Sequence, residues 1–254
     1  MLASLLAITA PAGAGPRPGG PYVPPPSLLW PRIAVICIDN ASIQRIGRYP
    51  FDRALHARLV DRLVAAGART IAFDLWFGEA HSADGDQALA RAIARSHRTW
   101  LIVDPTSAQH VMPKPPLPLL ARAAGWRLGV PQLEQGQHFI GGVRLAPYGT
   151  ARTPNLLVGL MADTLHLHKW PSPAGDGGYR MGDWVLPTSG GVFTSDATDT
   201  QRLAINKDSR IRHYSYARVL DGQVAMEAFD GAIVLVGRTP SPRTGEELSL
   251  IHIS

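Results

Sequence analysis

Short apolar runs that each end in aspartate constrain this chain more than any other feature. Ile33-Ala34-Val35-Ile36-Cys37-Ile38 ends at Asp39-Asn40, Thr70-Ile71-Ala72-Phe73 ends at Asp74, and Trp100-Leu101-Ile102-Val103 ends at Asp104. Runs that are apolar at every position, rather than at alternate ones, read as strands covered on both faces, the pattern of a parallel sheet between other layers. Between the first two runs the helix signals of residues 52–67 agree with one another. Asp52 is a suitable N-cap, Leu55, Leu59, Val60, Leu63 and Val64 recur at helical spacing, and Gly67 stands where a left-handed C-cap is wanted. Arg58, Asp61 and Arg62 fall on the wet face. Strand, helix and strand in so short a stretch make a βαβ unit, which implies parallel pairing and a right-handed crossover.

The alternation is expected to continue, with Asp84 or Asp86 capping a helix that runs to about Ser96 and turns Leu89 and Ile93 inward. Residues 111–118 hold five Pro or Lys in eight positions, so a loop or insertion is expected there. Thr153-Pro154 opens a further helix with Leu157, Leu160, Met161, Thr164, Leu165 and His168 on one face. Residues 171–200, rich in Gly, Ser, Thr and Asp, read mainly as loop with a hairpin around Trp184-Val185-Leu186. Leu203-Ala204-Ile205-Asn206 reads as a strand, residues 214–220 as a short helix followed by Gly222, and Ala232-Ile233-Val234-Leu235-Val236-Gly237 as a buried strand. The expected class is α/β: a mostly parallel central sheet flanked by helices, with a loop-rich insertion in the second half.

Composition narrows the partners. With 254 residues, 45% hydrophobic and 18% charged, the chain can build a sizeable core and is not wholly disordered. Its one cysteine, Cys37, excludes an internal disulfide framework and a cysteine-based zinc cluster. Of 25 Lys+Arg only Lys114, Lys169 and Lys207 are lysine, so the net charge of +5 is carried by arginine. Those arginines form no run of like charge, and a nucleic-acid reading would rest on their count alone; no nucleic-acid partner is expected.

The organisation reads as four parts. Residues 1–10 are apolar, too short to span a bilayer, and resemble a truncated signal or membrane anchor. Residues 11–31, with eight prolines and four glycines, read as an extended linker. Residues 32–240 carry the α/β pattern. Residues 241–254 lack a core pattern and read as a truncated or foreign tail.

Few residues suggest chemistry. Asp39 and Asp74 close parallel-type strands, and open α/β sheets bind ligands outside the carboxyl ends of their strands. Trp76 would put an aromatic at a pocket rim, and Arg48, beside Tyr49-Pro50-Phe51, is a candidate anion or dimer contact. These four are the expected ligand-binding residues. Each has a plainer alternative: a local turn for Asp39 with Asn40 and Ser42, an arginine partner for Asp74, and packing for the other two. Of nine histidines the one close pair is His166 and His168, which on a helix point to different faces, so no metal site is expected. No Gly-x-Ser-x-Gly elbow, Walker A or Gly-x-Gly-x-x-Gly motif is present, and neither a catalytic residue nor a cofactor is expected.

The segment from Ile33 to Asp39, then Gly47-Arg48-Tyr49-Pro50-Phe51, the helix leading to Gly67-Ala68, and Ala72-Phe73-Asp74 together resemble the opening of the CHASE-type-two domain, a sensor domain of bacterial receptors. Ala204-Ile205-Asn206, the stretch Tyr214-Ser215-Tyr216-Ala217-Arg218-Val219-Leu220-Asp221-Gly222, and Gly231-Ala232-Ile233-Val234-Leu235-Val236-Gly237 are similar to the family's closing strand, helix and strand. The resemblance spans about residues 32–240, and residues 131–137 depart from it in lacking aspartates before Gly141-Gly142-Val143-Arg144.

The resemblance implies an extracytoplasmic sensory domain of a membrane-anchored receptor. Such receptors have flanking membrane helices and a cytoplasmic nucleotide cyclase or kinase, which would lie outside this chain. It implies a small-molecule or protein signal as partner, and a homodimer is a further expectation. The competing reading is a soluble α/β enzyme that uses Asp39 and Asp74 with a divalent metal.

Overall fold

The computed structural model of the chain describes residues 32–104, 114–131, 152–164, 166–167 and 212–238 with their side chains. Strand backbone is described at 134–136, 139–144, 172–174, 178–181, 184–186 and 200–201. The first half runs β1 (Ile33–Ile38), α1 (Asn40–Ile46), α2 (Arg53–Ala65), β2 (Thr70–Asp74), α3 (Ala83–Ser96), β3 (Thr99–Ile102), α4 (Pro118–Ala124) and β4 (Leu128–Gly129). The second half runs β5 (Glu134–Gly136), β6 (Phe139–Arg144), α5 (Leu156–Thr164), β7 (Ser172–Ala174), β8 (Gly178–Met181), β9 (Trp184–Leu186), β10 (Thr200–Gln201), β11 (Arg212–Ser215), α6 (Tyr216–Leu220) and β12 (Ile233–Arg238).

The apolar runs become the centre of a six-stranded sheet in the order β11-β1-β12-β2-β3-β4, and every pair in it is parallel. The α/β class expected from the sequence is therefore the class observed. The βαβ reading needs one correction, because β1 and β2 are not neighbours. β12 lies between them, with Leu235 opposite Val35 on one side and opposite Ala72 on the other.

The connections β1 to β2, β2 to β3, β3 to β4 and β11 to β12 all step the same way across the sheet. Right-handed crossovers then put all their helices on one face. Accordingly α4, α3, α2, α6 and α1 pack side by side. Under them lie Ala34, Ile36, Ile38, Ile71, Phe73, Leu101, Val234 and Val236 from the strands, against Leu59, Leu63, Leu89, Ile93, Leu120 and Val219 from the helices.

The other face carries α5 over β4 and β2. The expectation was an amphipathic helix, but α5 buries Leu156, Leu157, Val158, Gly159, Leu160, Ala162 and Thr164, nearly its whole circumference. Of the expected stripe, Leu165 and His168 lie outside the described residues. Backbone bonds from Leu156 N to Val130 O and from Val130 N to Pro154 O, both 2.9 Å, dock its start on the sheet. The close approach requires glycine at 129, where a Cβ would stand 2.6 Å from Leu156 Cα.

Local chemistry explains the helix limits. Asp52 caps α2, accepting from Ala54 N at 2.7 Å. At its far end Ala68 N donates to Leu63 O and Gly67 N to Val64 O, a Schellman closure that places Gly67 at φ +78°. A Cβ there would also meet Asp230 Oδ1 at 2.5 Å. Gly67→Ala is therefore expected to cost roughly 1–3 kcal/mol in urea unfolding, from strained backbone alone.

Helix α3 departs from expectation at its start: Ser82 is the N-cap, its hydroxyl accepting from Gly85 N at 3.2 Å, and Asp84 and Asp86 occupy the first turn. Within residues 111–118, read as loop, Pro118 is instead the first residue of α4, a position where its missing N–H costs nothing. Tyr214 and Ser215, read as helix, close β11, and α6 begins at Tyr216. Residues 171–200 contain an antiparallel β7-β8-β9 sheet, with Trp184–Leu186 its third strand. The expected strand at 203–206 lies outside the described residues.

Candidate functional site

The carboxyl ends of β1, β12 and β2 form the edge at which a parallel sheet offers a ligand site. Two of the four candidate residues stand on it, and the structure gives them opposite surroundings. Asp39 follows β1 and caps α1: its Oδ1 accepts from Ser42 N at 2.8 Å, from Ser42 Oγ at 2.6 Å and from Ser215 Oγ at 3.0 Å. Ser42 Oγ in turn accepts from Ala217 N at 3.1 Å, so the knot ties β1 and α1 to the start of α6. Burial pushes the Asp39 carboxyl up, but the hydrogen bonds from Ser42 and Ser215 outweigh it and hold it below its ordinary value.

Asp74 closes β2 opposite Gly237 of β12. Alternation along the strand sets Ile71 and Phe73 into the helix-side core and leaves Ala72 and Asp74 on the other face. Asp74 Oδ2 is shut off from solvent and has no hydrogen-bond partner among the described residues, and burial pushes the carboxyl up to about 8. A carboxyl oxygen enclosed without a donor is costly, and the half-buried group stays neutral at pH 7 for that reason.

The two carboxylates do not meet. One strand, β12, separates β1 from β2, so two strand spacings of about 4.8 Å lie between their backbones. The metal-enzyme reading assumed adjacent strands, and that adjacency is absent. Among the described residues no group of three or more His, Cys, Asp or Glu could hold a metal ion.

The loop after β2 is held from below. Arg53, the first residue of α2, is 6% exposed and pairs through Nη1 with Asp86 Oδ1 at 2.6 Å, while its Nη2 donates to Glu79 O. Asp86 Oδ2 accepts from His81 N at 3.2 Å, and Phe77 O accepts from Leu117 N at 2.9 Å. With Phe77 buried and Glu79 and His81 tied down, Trp76 faces outward, 40% exposed. Its indole lies over Gly78, at which any Cβ would collide with the ring. Because Arg53 and Asp86 are charged and buried, Arg53→Met should strand the carboxylate. A loss of about 3–5 kcal/mol is expected in chemical unfolding, with Trp76 fluorescence shifting as the loop loosens.

Arg48 lies exposed in the turn between α1 and α2, with no hydrogen bond or ion pair among the described residues. Beside it Tyr49 stands edge-on to Phe51, and the Arg238 guanidinium covers the Tyr49 ring at 5.3 Å. Arg238 ends β12, between the ends of β1 and β2.

Sequence reasoning missed two polar pairs below this edge. One is Arg53–Asp86. The other joins His56 of α2 to Tyr216 of α6, Nδ1 to the hydroxyl at 2.7 Å, inside a cage of Phe51, Phe73 and Phe77. Burial, with the Arg53 charge nearby, pushes His56 down to about 3, so it is neutral at ordinary pH. The available signal was a histidine and an arginine on the apolar stripe of α2, where nothing in the chain nearby could satisfy them. Cys37 is buried with its thiol pushed up by burial, and its sulfur stands 3.6 Å from His213 Nδ1.

A family model described as the CHASE2 domain matches residues 13–247. No curated protein and no solved structure matches the chain. Among the described residues no helix is long and apolar enough to cross a membrane. CHASE2 domains are sensory and extracellular. The match extends over most of the sequence and takes in the whole six-stranded sheet: this chain belongs to the CHASE2 domain family.

Proposed function

We propose that residues 32–240 are the extracytoplasmic signal-receiving module of a bacterial membrane receptor, non-catalytic in itself. In this reading its ligand or partner state passes through flanking membrane helices to a cytoplasmic cyclase or kinase. In the same reading residues 1–10 belong to an anchor or signal, 11–31 space it from the module, and 241–254 lie outside the module. The observation that carries the reading is the family match over residues 13–247.

The ligand contacts we assign are Asp74 and Trp76 at the β2 end, with Arg48 on the flanking turn and Asp39 shaping the edge through its serine knot. A signal of this kind acts only by binding one of two arrangements better than the other, so the uncommitted Asp74 is the group best placed to supply the difference. A small-molecule or protein signal, a membrane attachment and a homodimer are the partners implied, with no nucleic acid and no cofactor.

Two measurements test the reading. In the source gene, alkaline phosphatase joined after Arg238 should be active, and a reporter that works only in the cytoplasm should be silent. Sequencing downstream of the Gly245 codon should reveal hydrophobic spans and then a cyclase or kinase pattern. A cytoplasmic reporter signal, or a hydrolytic or transfer activity of the purified chain abolished by Asp74→Ala, would overturn it.

A further inference from the structure

Buried polar groups in folded proteins are almost always satisfied, so each exception needs an explanation. Among the described residues three side-chain atoms are exceptions: Arg62 Nε, Thr164 Oγ1 and Asp74 Oδ2. The arginine has other nitrogens through which to meet solvent, and a threonine hydroxyl is a small cost. The carboxyl is a different matter, because it stands at the ligand edge of the sheet, beside a position of β12 that carries no side chain, Gly237.

Among the described residues the surrounding charges are engaged elsewhere. Asp39 at the end of β1 is held by Ser42 and Ser215, and Cys37 on β1 faces His213. Arg238 on β12 covers Tyr49, and His56 of α2, with Arg53, lies on the helix side of the sheet against Tyr216 and Asp86. Beyond β3, Asp104 pairs through its backbone with Lys114. Asp74 enters no salt bridge with a described residue.

We propose that the Asp74 carboxylate, at the β2 end and two residues before Trp76, is the docking point for the ammonium group of a small cationic ligand. This inference rests on the sensory reading and names the chemistry of its signal. An ammonium supplies both the charge and the N–H donors that Oδ2 lacks, and an aromatic two residues on offers a face to the cation's alkyl or charged part. Because the free carboxyl is held neutral, docking expels its proton to solvent: N⁺–H···⁻O replaces the buried O–H, and one H⁺ leaves for each cation bound. Affinity should accordingly rise as pH rises through the Asp74 range, and stop rising once the carboxyl is ionised without help.

The test is calorimetric titration of the purified chain with n-butylammonium and with norleucine, a free amine and an amino acid carrying the same group, and with n-butanol as the uncharged match. The expected result is binding of at least one of the two ammonium compounds and none of butanol. Heats measured in phosphate and in Tris at pH 7 should differ by about one proton released per cation. Asp74→Asn, which removes the charge and keeps the size, should weaken the cation about tenfold or more.

Silence of both ammonium compounds up to about 50 mM, a reach suited to probes of so few atoms, overturns the proposal. So does binding without proton release, equal binding of butanol, or equal binding to the Asn variant. The buffer comparison on the unsubstituted chain needs no variant and decides the matter if Asp74→Asn misfolds. The sensory reading itself is judged by reporter position and downstream sequence, so its failure is distinguishable from failure here.

Discussion

Asp74→Asn is expected to make the domain more stable at neutral pH, although Asp74 sits at the heart of the proposed site. The unfolded chain ionises this carboxyl at its ordinary value of 3.8, whereas burial holds it protonated in the fold up to about 8. The folded value is raised, so the stability this group permits is fully present below pH 3.8 and is lost as pH rises through 8. Each pH unit in that window costs about 1.4 kcal/mol, which amounts to roughly 4 kcal/mol by pH 7.

Asparagine removes the ionisation but still buries an amide whose own unpaired atoms cost about 1–3 kcal/mol. A net gain of roughly 1–3 kcal/mol at pH 7 is therefore expected, or several degrees in the unfolding temperature of a domain this size. Urea unfolding at pH 5, 7 and 8.5 would check it. An Asn variant that is no more stable than the parent at pH 8.5 would mean that Asp74 has a partner after all. A residue that lowers stability where it stands is a common mark of a binding position, because the missing partner is the ligand.

Removing His56 should have an effect of similar size and opposite sign in pH. The unfolded histidine titrates at 6.5, and in the fold burial lowers it to about 3. A depressed base binds its proton only on unfolding. Its contribution is complete above pH 6.5 and is lost as pH falls toward 3, three and a half units worth on the order of 5 kcal/mol.

Over pH 3.8–6.5 the slopes of Asp74 and His56 therefore cancel, and the parent domain should show little pH dependence from these two groups there. Each substitution unmasks the other group. Asp74→Asn should become steadily less stable as pH drops below 6.5. The double variant His56→Phe with Tyr216→Phe, which removes both members of the pair and keeps the cage apolar, should lose stability steadily from about pH 4 upward. His56→Phe alone leaves the Tyr216 hydroxyl buried without its partner, and should be about 1–3 kcal/mol worse than the double variant. Parallel profiles for all three proteins would contradict the assignment of both groups.

Several of these features were readable along the chain, and the division follows how far each interaction reaches. The run Ile33–Ile38, the capped helix ending at Gly67, the strand ending at Asp74 and the apolar stretch before Arg238 declare themselves through neighbours a few positions away. Periodicity and caps are interactions of that range. Errors of limit arose where a local rule had two answers: Ser82 and the aspartates after it are all acceptable caps, and the one whose carboxylate Arg53 claimed became the buried partner instead. Pro118 marks a helix start as readily as a loop, and only the docking of Leu120 into the core selected the helix.

By itself, then, the sequence determined the α/β class, the four central strands β1, β12, β2 and β3, the helix α2, and the family, because backbone hydrogen bonding and apolar spacing are written in contiguous residues. Tertiary structure alone decided that β12 slips between β1 and β2, which parts Asp39 from Asp74. It decided that Ser215, 176 residues from Asp39, completes the serine knot, and that His56 finds Tyr216 160 residues away. It also left Asp74 Oδ2 without a partner among the described residues. Strand order and the fate of a buried charge depend on which distant segments arrive beside them, and the energy of that arrival appears only once the chain has closed on itself.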